Sequence, residues 1–418
     1  MFLYIDPGTG SMLFTVILGV AGALFYSLRM LFIKLRFTFS SGKAKVDDEK
    51  LPLVIFSDDK RYWSIFEPVC RELDQRGVDV VYMTASPDDP GLDNPYEHVK
   101  AEFIGAGNKA FSRLNFLKAR ILFSTTPGLD VYQWKRAKDV DYYVHIFHTA
   151  GEVTRYRMYG IDFYDALLIA GPHQERDIRE LEQMRKLPQK EIVSVGIPFM
   201  DKMADRLASA DPIPEHPRTV LLAPTWGPSA IFSIHGGKII DTLLKTGYHI
   251  IIRPHPQSFT SEKEMLDKLM AQYPESEQLE WNRDTDNFEV LRRSDILISD
   301  FSGVVFDFSL IYDKPVIYTD PNFNLAPYDA WFLDHPLWTL SALPRIGKEL
   351  NMENMESLKD LIDECLADPC FAEGRRQVRS EVWEHPGEGA VRTADYLCDK
   401  LAALTPKEAE RGETDVSA

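Results

Sequence analysis

YHIIIRPHP at residues 248–256 and LRRSDILISDFSGVVFDFSLIYDKPVIY at residues 291–318 repeat one plan: an apolar run, a sharp polar corner, a helix start. Ile250 to Ile252 and Ile296 to Ile298 are short, strand-forming runs. Each is followed at once by residues foreign to a core, Arg253 and His255 in the first case, Asp300 and Ser302 in the second. Strands covered on both faces read as continuous apolar stretches, and open parallel sheets bind ligands at the carboxyl ends of their strands. The pattern predicts an α/β domain that displays a site at its strand ends.

The second corner runs Ser299-Asp300-Phe301-Ser302-Gly303 and then enters the apolar segment 304–311. Unpaired N–H groups and a small hydroxyl at such a helix start can receive a phosphate. Ser302 reads equally as a plain N-cap. Arg253 and His255, at the end of a neighbouring strand, weight the reading toward an anion.

At 418 residues the chain is too long for one typical domain, and two domains of roughly 150 to 180 residues after a leader are expected. A net charge of −17 argues against a general nucleic-acid binder. The cysteines at 70, 365, 370 and 398 show no metal-ligand spacing and suit a reduced, cytoplasmic catalytic part. Met12 to Leu28 carries no charge and reaches the short end of a membrane-spanning helix, about 17 residues. The basic flank Arg29, Lys34, Arg36, Lys43 and Lys45 follows it, which predicts a single-pass anchor with the rest of the chain in the cytoplasm. A signal peptide would carry its positive charge ahead of the run. A core or interfacial helix is the other alternative.

Six segments follow: an anchor at 1–35, a linker at 36–50, an α/β domain at 51–210, a second at 218–370, a helical region at 371–402 and a disordered acidic tail at 403–418. In the first domain the pattern predicts strands at 53–56, 78–83, 120–123, 142–147, 166–169 and 192–195, with helices at 62–76 and 173–186. Pro212, Pro214 and Pro217 mark the boundary, and strands at 219, 250, 296 and 315 build the second domain. The aromatic stretch 320–345, with Trp331, Phe332 and Trp338, reads either as a loop over a cleft or as a satellite core.

The run YVHIFHTAG at 143–151 ends a strand with His148 beside a glycine turn. A histidine there can take a proton from an attacking hydroxyl, since its ordinary pKa lies near neutrality. His145, inside the apolar run, reads as a satisfied core or strand-face histidine.

The strings LLAPTW at 221–226, RPHP at 253–256, SDILISDFSGVVFDF at 294–308 and DKPVIYTD at 313–320 resemble the CDP-glycerol glycerophosphotransferase family, whose members prime and polymerise wall teichoic acids. The resemblance implies a GT-B architecture, two doubly wound Rossmann-like domains facing a cleft, here preceded by a membrane helix. It implies that His148 is the catalytic base and that His255 is a second catalytic residue holding the donor diphosphate. Arg253, Thr225, Asp300, Ser302, Gly303 and Asp307 are then implied donor-binding residues. Three departures stand out: Gly227 in place of arginine, Gly303 in place of a second serine, and Asp329-Ala330-Trp331-Phe332 in place of an arginine-glycine-phenylalanine-tyrosine box.

The implied activity moves an alditol phosphate, glycerol phosphate first, from a CDP-linked donor to a lipid-linked or polymeric acceptor at the inner membrane. No cofactor is firmly implied, no metal ligand is assigned, and Asp300 and Asp307 read equally as a cap and a helix-surface acid. The alternatives are a GT-B glycosyltransferase using a UDP- or GDP-sugar and a non-catalytic, membrane-tethered binding protein.

Overall fold

Apolar runs of four to eight residues, bounded by turn signals, become buried parallel strands here because helices cover both faces of each sheet. The computed structural model describes residues 50–284, 286–300, 302–319 and 325–405. The first sheet contains β1 (Leu51–Ser57), β2 (Val80–Thr84), β3 (Val99–Phe103), β4 (Lys118–Ser124), β5 (Asp139–Ile146), β6 (Ala166–Ile169) and β7 (Glu191–Ser194), in the order β3-β2-β1-β4-β5-β6-β7. The second contains β8 (Thr219–Leu222), β9 (His249–Ile252), β10 (Leu279–Trp281), β11 (Ile296–Ser299), β12 (Val316–Thr319) and β13 (Gly347–Leu350), in the order β10-β9-β8-β11-β12-β13. Every pairing is parallel. The strand order reverses between β1 and β4 in one sheet and between β8 and β11 in the other, and such switch points open a crevice at the carboxyl ends.

Register explains the packing. Val54 lies opposite Leu122, and Leu53 opposite Ile121. With period two, Val54 and Phe56 join one apolar layer while Leu53 and Ile55 join the layer on the other face. Each such side chain contributes about 1.5 to 3 kcal/mol on burial. The helix Trp63–Gln75 puts Ile65, Val69 and Leu73 on its buried face, at the expected helical spacing. It stops where Gly77, at φ +68°, turns the chain toward β2.

Three edge strands, β3, β10 and β13, escaped the sequence reading. Edge strands carry polar residues, as in Val99-Lys-Ala-Glu-Phe103, so no continuous apolar run announces them. The helical region expected from Glu373 onward divides into Cys370–Val382 and Gly389–Leu404. Pro386 and Gly387, the latter at φ +83°, make the break. Asp201 holds it by accepting hydrogen bonds from Trp383 Nε1 (2.7 Å), Gly387 N (2.8 Å) and Gly389 N (2.8 Å). The last helix then crosses back and buries Ala394 and Leu397 against the first sheet, while Val378 and Val382 of the preceding helix pack with Val305, Phe306 and Trp338 of the second.

The stretch 320–345 combines both of its readings. Its end is the helix Trp338–Ile346, with Trp338 buried 5.1 Å from the Phe306 ring, whereas Pro327 and Tyr328 line a cleft and Trp331 faces solvent. The expected membrane helix, the linker up to residue 49 and the acidic tail from residue 406 lie outside the described residues. No helix among the described residues is long and apolar enough to cross a membrane.

Candidate active site

β5 delivers His148. The strand is buried through Ile146 and Phe147, and the chain then leaves the sheet, so the next side chain emerges at the carboxyl edge. Its Nδ1 lies 2.9 Å from Thr125 Oγ1, at the end of β4, and 3.4 Å from the Tyr156 hydroxyl. The Tyr62 ring, following β1, packs 4.9 Å from the imidazole centre. Burial pushes the His148 pKa down to about 4, and the positive charge of Arg61 adds to the shift. Arg61 itself is gripped by Asp59, Nε to Oδ1 at 2.8 Å and Nη2 to Oδ2 at 3.2 Å.

His145 is a core residue, as expected, but not a satisfied one. Its ring is fully buried among Phe147, Tyr156 and Tyr164, and neither nitrogen has a hydrogen-bond partner among the described residues. Burial therefore keeps it neutral, well below the usual histidine range.

On the second sheet, β9 delivers Arg253 and His255. The Arg253 guanidinium donates to Asn282 Oδ1. His255 Nδ1 accepts the Gln257 backbone N–H at 3.1 Å, which places the ring proton of the neutral form on Nε2. Burial, with Arg61 again as the second cause, holds the His255 pKa down at about 4. One guanidinium, in the turn after β1, thus acts on both histidines.

The two aspartates divide their roles. Asp300 is turned inward: its carboxylate accepts from Thr225 N (3.0 and 3.1 Å) and Ile231 N (3.2 Å) and so clamps the loop after β8. Burial raises its pKa to about 6 despite those bonds. Asp307, with which the helical turn Val304–Phe306 passes into the wider turn Asp307–Ile311, lines the cleft, and burial pushes its pKa up to about 7. Ser302 is not the cap of that turn. Gly303 occupies the N-cap position, and the Ser302 hydroxyl makes no hydrogen bond among the described residues.

The cleft has a volume of about 650 Å³, with His148, Thr149 and Tyr156 on one wall and Thr225, Gly303 and Asp307 on the other. Arg253, His255, Asp300 and Ser302 are not part of that lining. The walls approach closely where a Cβ on Gly303 would come 3.3 Å from Thr149 Oγ1, a space in which the absent second serine would press on the loop bearing His148. Gly227 sits at φ +96°, a conformation that an arginine there would adopt only under strain. Asp329 accepts a hydrogen bond from Arg185 and is buried, so the replaced box pins the two domains together instead of reaching the cleft.

Glu152 also faces inward: its Oε2 accepts the Thr339 N–H at 3.0 Å. Among the described residues no three His, Cys, Asp or Glu side chains converge as a metal site requires. Sequence reasoning missed Arg61, Thr125 and Tyr156. Its own rule, polar residues directly after an apolar strand, would have found the first two in VIFSDDKR (54–61) and ILFSTT (121–126).

Residues 139–330 match the profile of the CDP-glycerol:poly(glycerophosphate) glycerophosphotransferase family. Across those residues, just under half of the chain, the sequence is similar to that family. The protein is accordingly a transferase of the glycerophosphotransferase kind. The match spans β5 with His148, the corners after β9 and β11, and the Tyr328 loop. Among solved structures, the wall teichoic acid polymerase TagF, soaked with CDPG, is 16% identical, with a TM-score of 0.56 over 85% of this chain and 90% of that one. The UDP-GlcNAc 2-epimerase of Methanocaldococcus jannaschii is 11% identical, TM-score 0.53, over 84% and 100%. A glycosyltransferase of Rickettsia africae is 12% identical, TM-score 0.50, over 84% and 99%. At these identities the likeness is one of fold, two parallel-sheet α/β domains of GT-B type. No curated protein sequence matches the chain.

Proposed function

We propose that this glycerophosphotransferase works in the cleft between the two sheets, moving glycerol phosphate from CDP-glycerol to a hydroxyl of a lipid-linked or polymeric cell-envelope acceptor. The observation that carries the reading is the complementary pair of histidines at the ends of β5 and β9. His255, with its proton on Nε2, is a hydrogen-bond donor suited to a phosphate oxygen. His148 supplies the base. Its ring takes the proton of the acceptor hydroxyl, whose oxygen attacks the β-phosphorus while the bond to CMP breaks. Arg61 and Arg253 supply positive charge for the leaving phosphate. Burial first and the Arg61 charge second depress both histidines; an anionic donor near Arg61 offsets the second of these, so donor binding itself raises the basicity of His148.

The test is to incubate the protein separately with CDP-glycerol and with UDP- and GDP-sugars and to identify the nucleotide released. CMP from CDP-glycerol, in step with glycerol phosphate appearing on the acceptor, is expected. UDP or GDP released from a sugar donor, with CDP-glycerol untouched, would instead make it a glycosyltransferase.

We also propose that the N-terminal run Met12 to Leu28 anchors the enzyme in the cell membrane with its catalytic domains in the cytoplasm, where a lipid-linked acceptor is presented. Deleting residues 1–35 is expected to move the protein from the membrane pellet to the supernatant with CDP-glycerol turnover retained. A truncated chain that aggregates, while the full-length chain is soluble without detergent, would place the run in the globular core.

A further inference from the structure

We propose that Thr125 is a positioning residue that sets the tautomer of His148. The inference rests on the reading of His148 as the base and adds the group that makes it one. Thr125 is fully buried directly after β4, whose last residue, Ser124, pairs with His145 of β5. Among the described residues its hydroxyl has two hydrogen-bonding neighbours: the Ile146 carbonyl oxygen at 2.7 Å and His148 Nδ1 at 2.9 Å. A hydroxyl has one proton, and a carbonyl oxygen can only accept. The proton therefore goes to Ile146, the shorter contact, and a lone pair of Oγ1 is left facing Nδ1. Nδ1 must then carry the ring proton and donate it to Thr125.

The consequence is chemical. With Nδ1 protonated, the free lone pair of the neutral imidazole is on Nε2, which makes no hydrogen bond among the described residues. His148 and His255 thus take opposite tautomers: Nε2 accepts a proton in the first and donates a hydrogen bond in the second. A β-branched threonine has few side-chain rotamers, so its Oγ1 is a stiff reference point for the ring. Among the described residues, the Tyr156 hydroxyl, 3.4 Å from the same nitrogen, is the group placed to favour the reverse arrangement by donating to Nδ1. Its longer contact makes it the weaker of the two. The Tyr62 ring restrains the imidazole plane from the side and carries no preference between tautomers.

The experiment reads the tautomer directly. Full-length protein labelled with ring-¹⁵N histidine is examined above pH 6, with the His148 signals assigned by their loss in His148→Gln. The parent and Thr125→Ser are expected to show protonated Nδ1. Thr125→Val is expected to lose that preference and to lower kcat about 10- to 100-fold at unchanged KM for CDP-glycerol, with serine restoring turnover to within a few-fold of the parent. A purely structural role for Thr125 would depress unfolding temperature, KM and kcat together and would not move the ring signals. An Nε2-protonated parent overturns the proposal whether or not Thr125→Val folds, as does parent-like kcat in Thr125→Val. The spectra need no substrate, so a failure of the base reading, seen as turnover by His148→Ala, is distinguishable from a failure of this one.

Discussion

His148→Ala is expected to lower kcat by about 10²- to 10⁴-fold while leaving CDP-glycerol affinity nearly unchanged, because a general base acts in the transition state. The other acids near the cleft are poorly placed to replace it. Asp300 is committed to the loop after β8 and lies off the cleft lining, while Glu152, which does line the cleft, spends Oε2 on Thr339 and keeps Oε1 buried away from the open space. The exception is Asp307, which lines the opposite wall. Parent-like turnover in His148→Ala would remove the histidine from the mechanism and move the base role to Asp307. The pH dependence gives a second check. A base must be deprotonated to act, so activity falls as pH drops through its pKa. In the ligand-free protein that pKa is held at about 4 by burial and by Arg61. The acidic limb of kcat/KM is therefore expected near pH 4, far below the ordinary histidine value of about 6.5. The limb of kcat reports the donor complex and is expected at higher pH, because the diphosphate offsets the Arg61 charge.

What the sequence disclosed depended on whether the information was local. Interior strands announced themselves because burial on both faces leaves an unbroken apolar run, as in Ile250 to Ile252 and Ile296 to Ile298. Edge strands β3 and β13 did not, since one side meets water and the alternation is blurred by Lys100, Glu102, Lys348 and Glu349. At the site, the strand-end rule located His148 and His255, whose positions follow from their own strands. Their protonation states were out of reach, because each is set by a partner: Thr125 from the adjacent strand for one, the Gln257 N–H for the other. The division of labour between Asp300 and Asp307 was equally invisible. Seven residues apart along one segment, they differ only in what the fold puts beside them, the Thr225 and Ile231 amides for the first and the open cleft for the second. Arg61 acts on two histidines from different sheets, a relation that exists only after both domains have folded.

His255→Ala is expected to weaken CDP-glycerol binding by about 10- to 150-fold, the loss of about 1.5 to 3 kcal/mol that follows removal of one charge-assisted hydrogen bond to phosphate. The direction of that bond sets a sharper comparison. Because Nδ1 is occupied by the Gln257 amide, the donating atom is Nε2. A glutamine amide nitrogen can stand near the Nε2 position, whereas asparagine reaches only as far as Nδ1, so His255→Gln should recover more affinity than His255→Asn. Proton uptake supplies the companion measurement. Free His255, held at about 4, is neutral at pH 6. A bound diphosphate favours the imidazolium, so its folded-state pKa rises and binding draws protons from the buffer. Calorimetric enthalpies in two buffers of different ionisation heat should therefore differ for the parent, and the difference should shrink in His255→Gln, which cannot titrate. His148 contributes to the same uptake through Arg61, and His148→Gln measures its share. Equal affinity for the parent and His255→Ala, in variants with parent-like unfolding curves, would take His255 out of the phosphate site and leave Arg253 and the Ser302 hydroxyl as the groups to examine there.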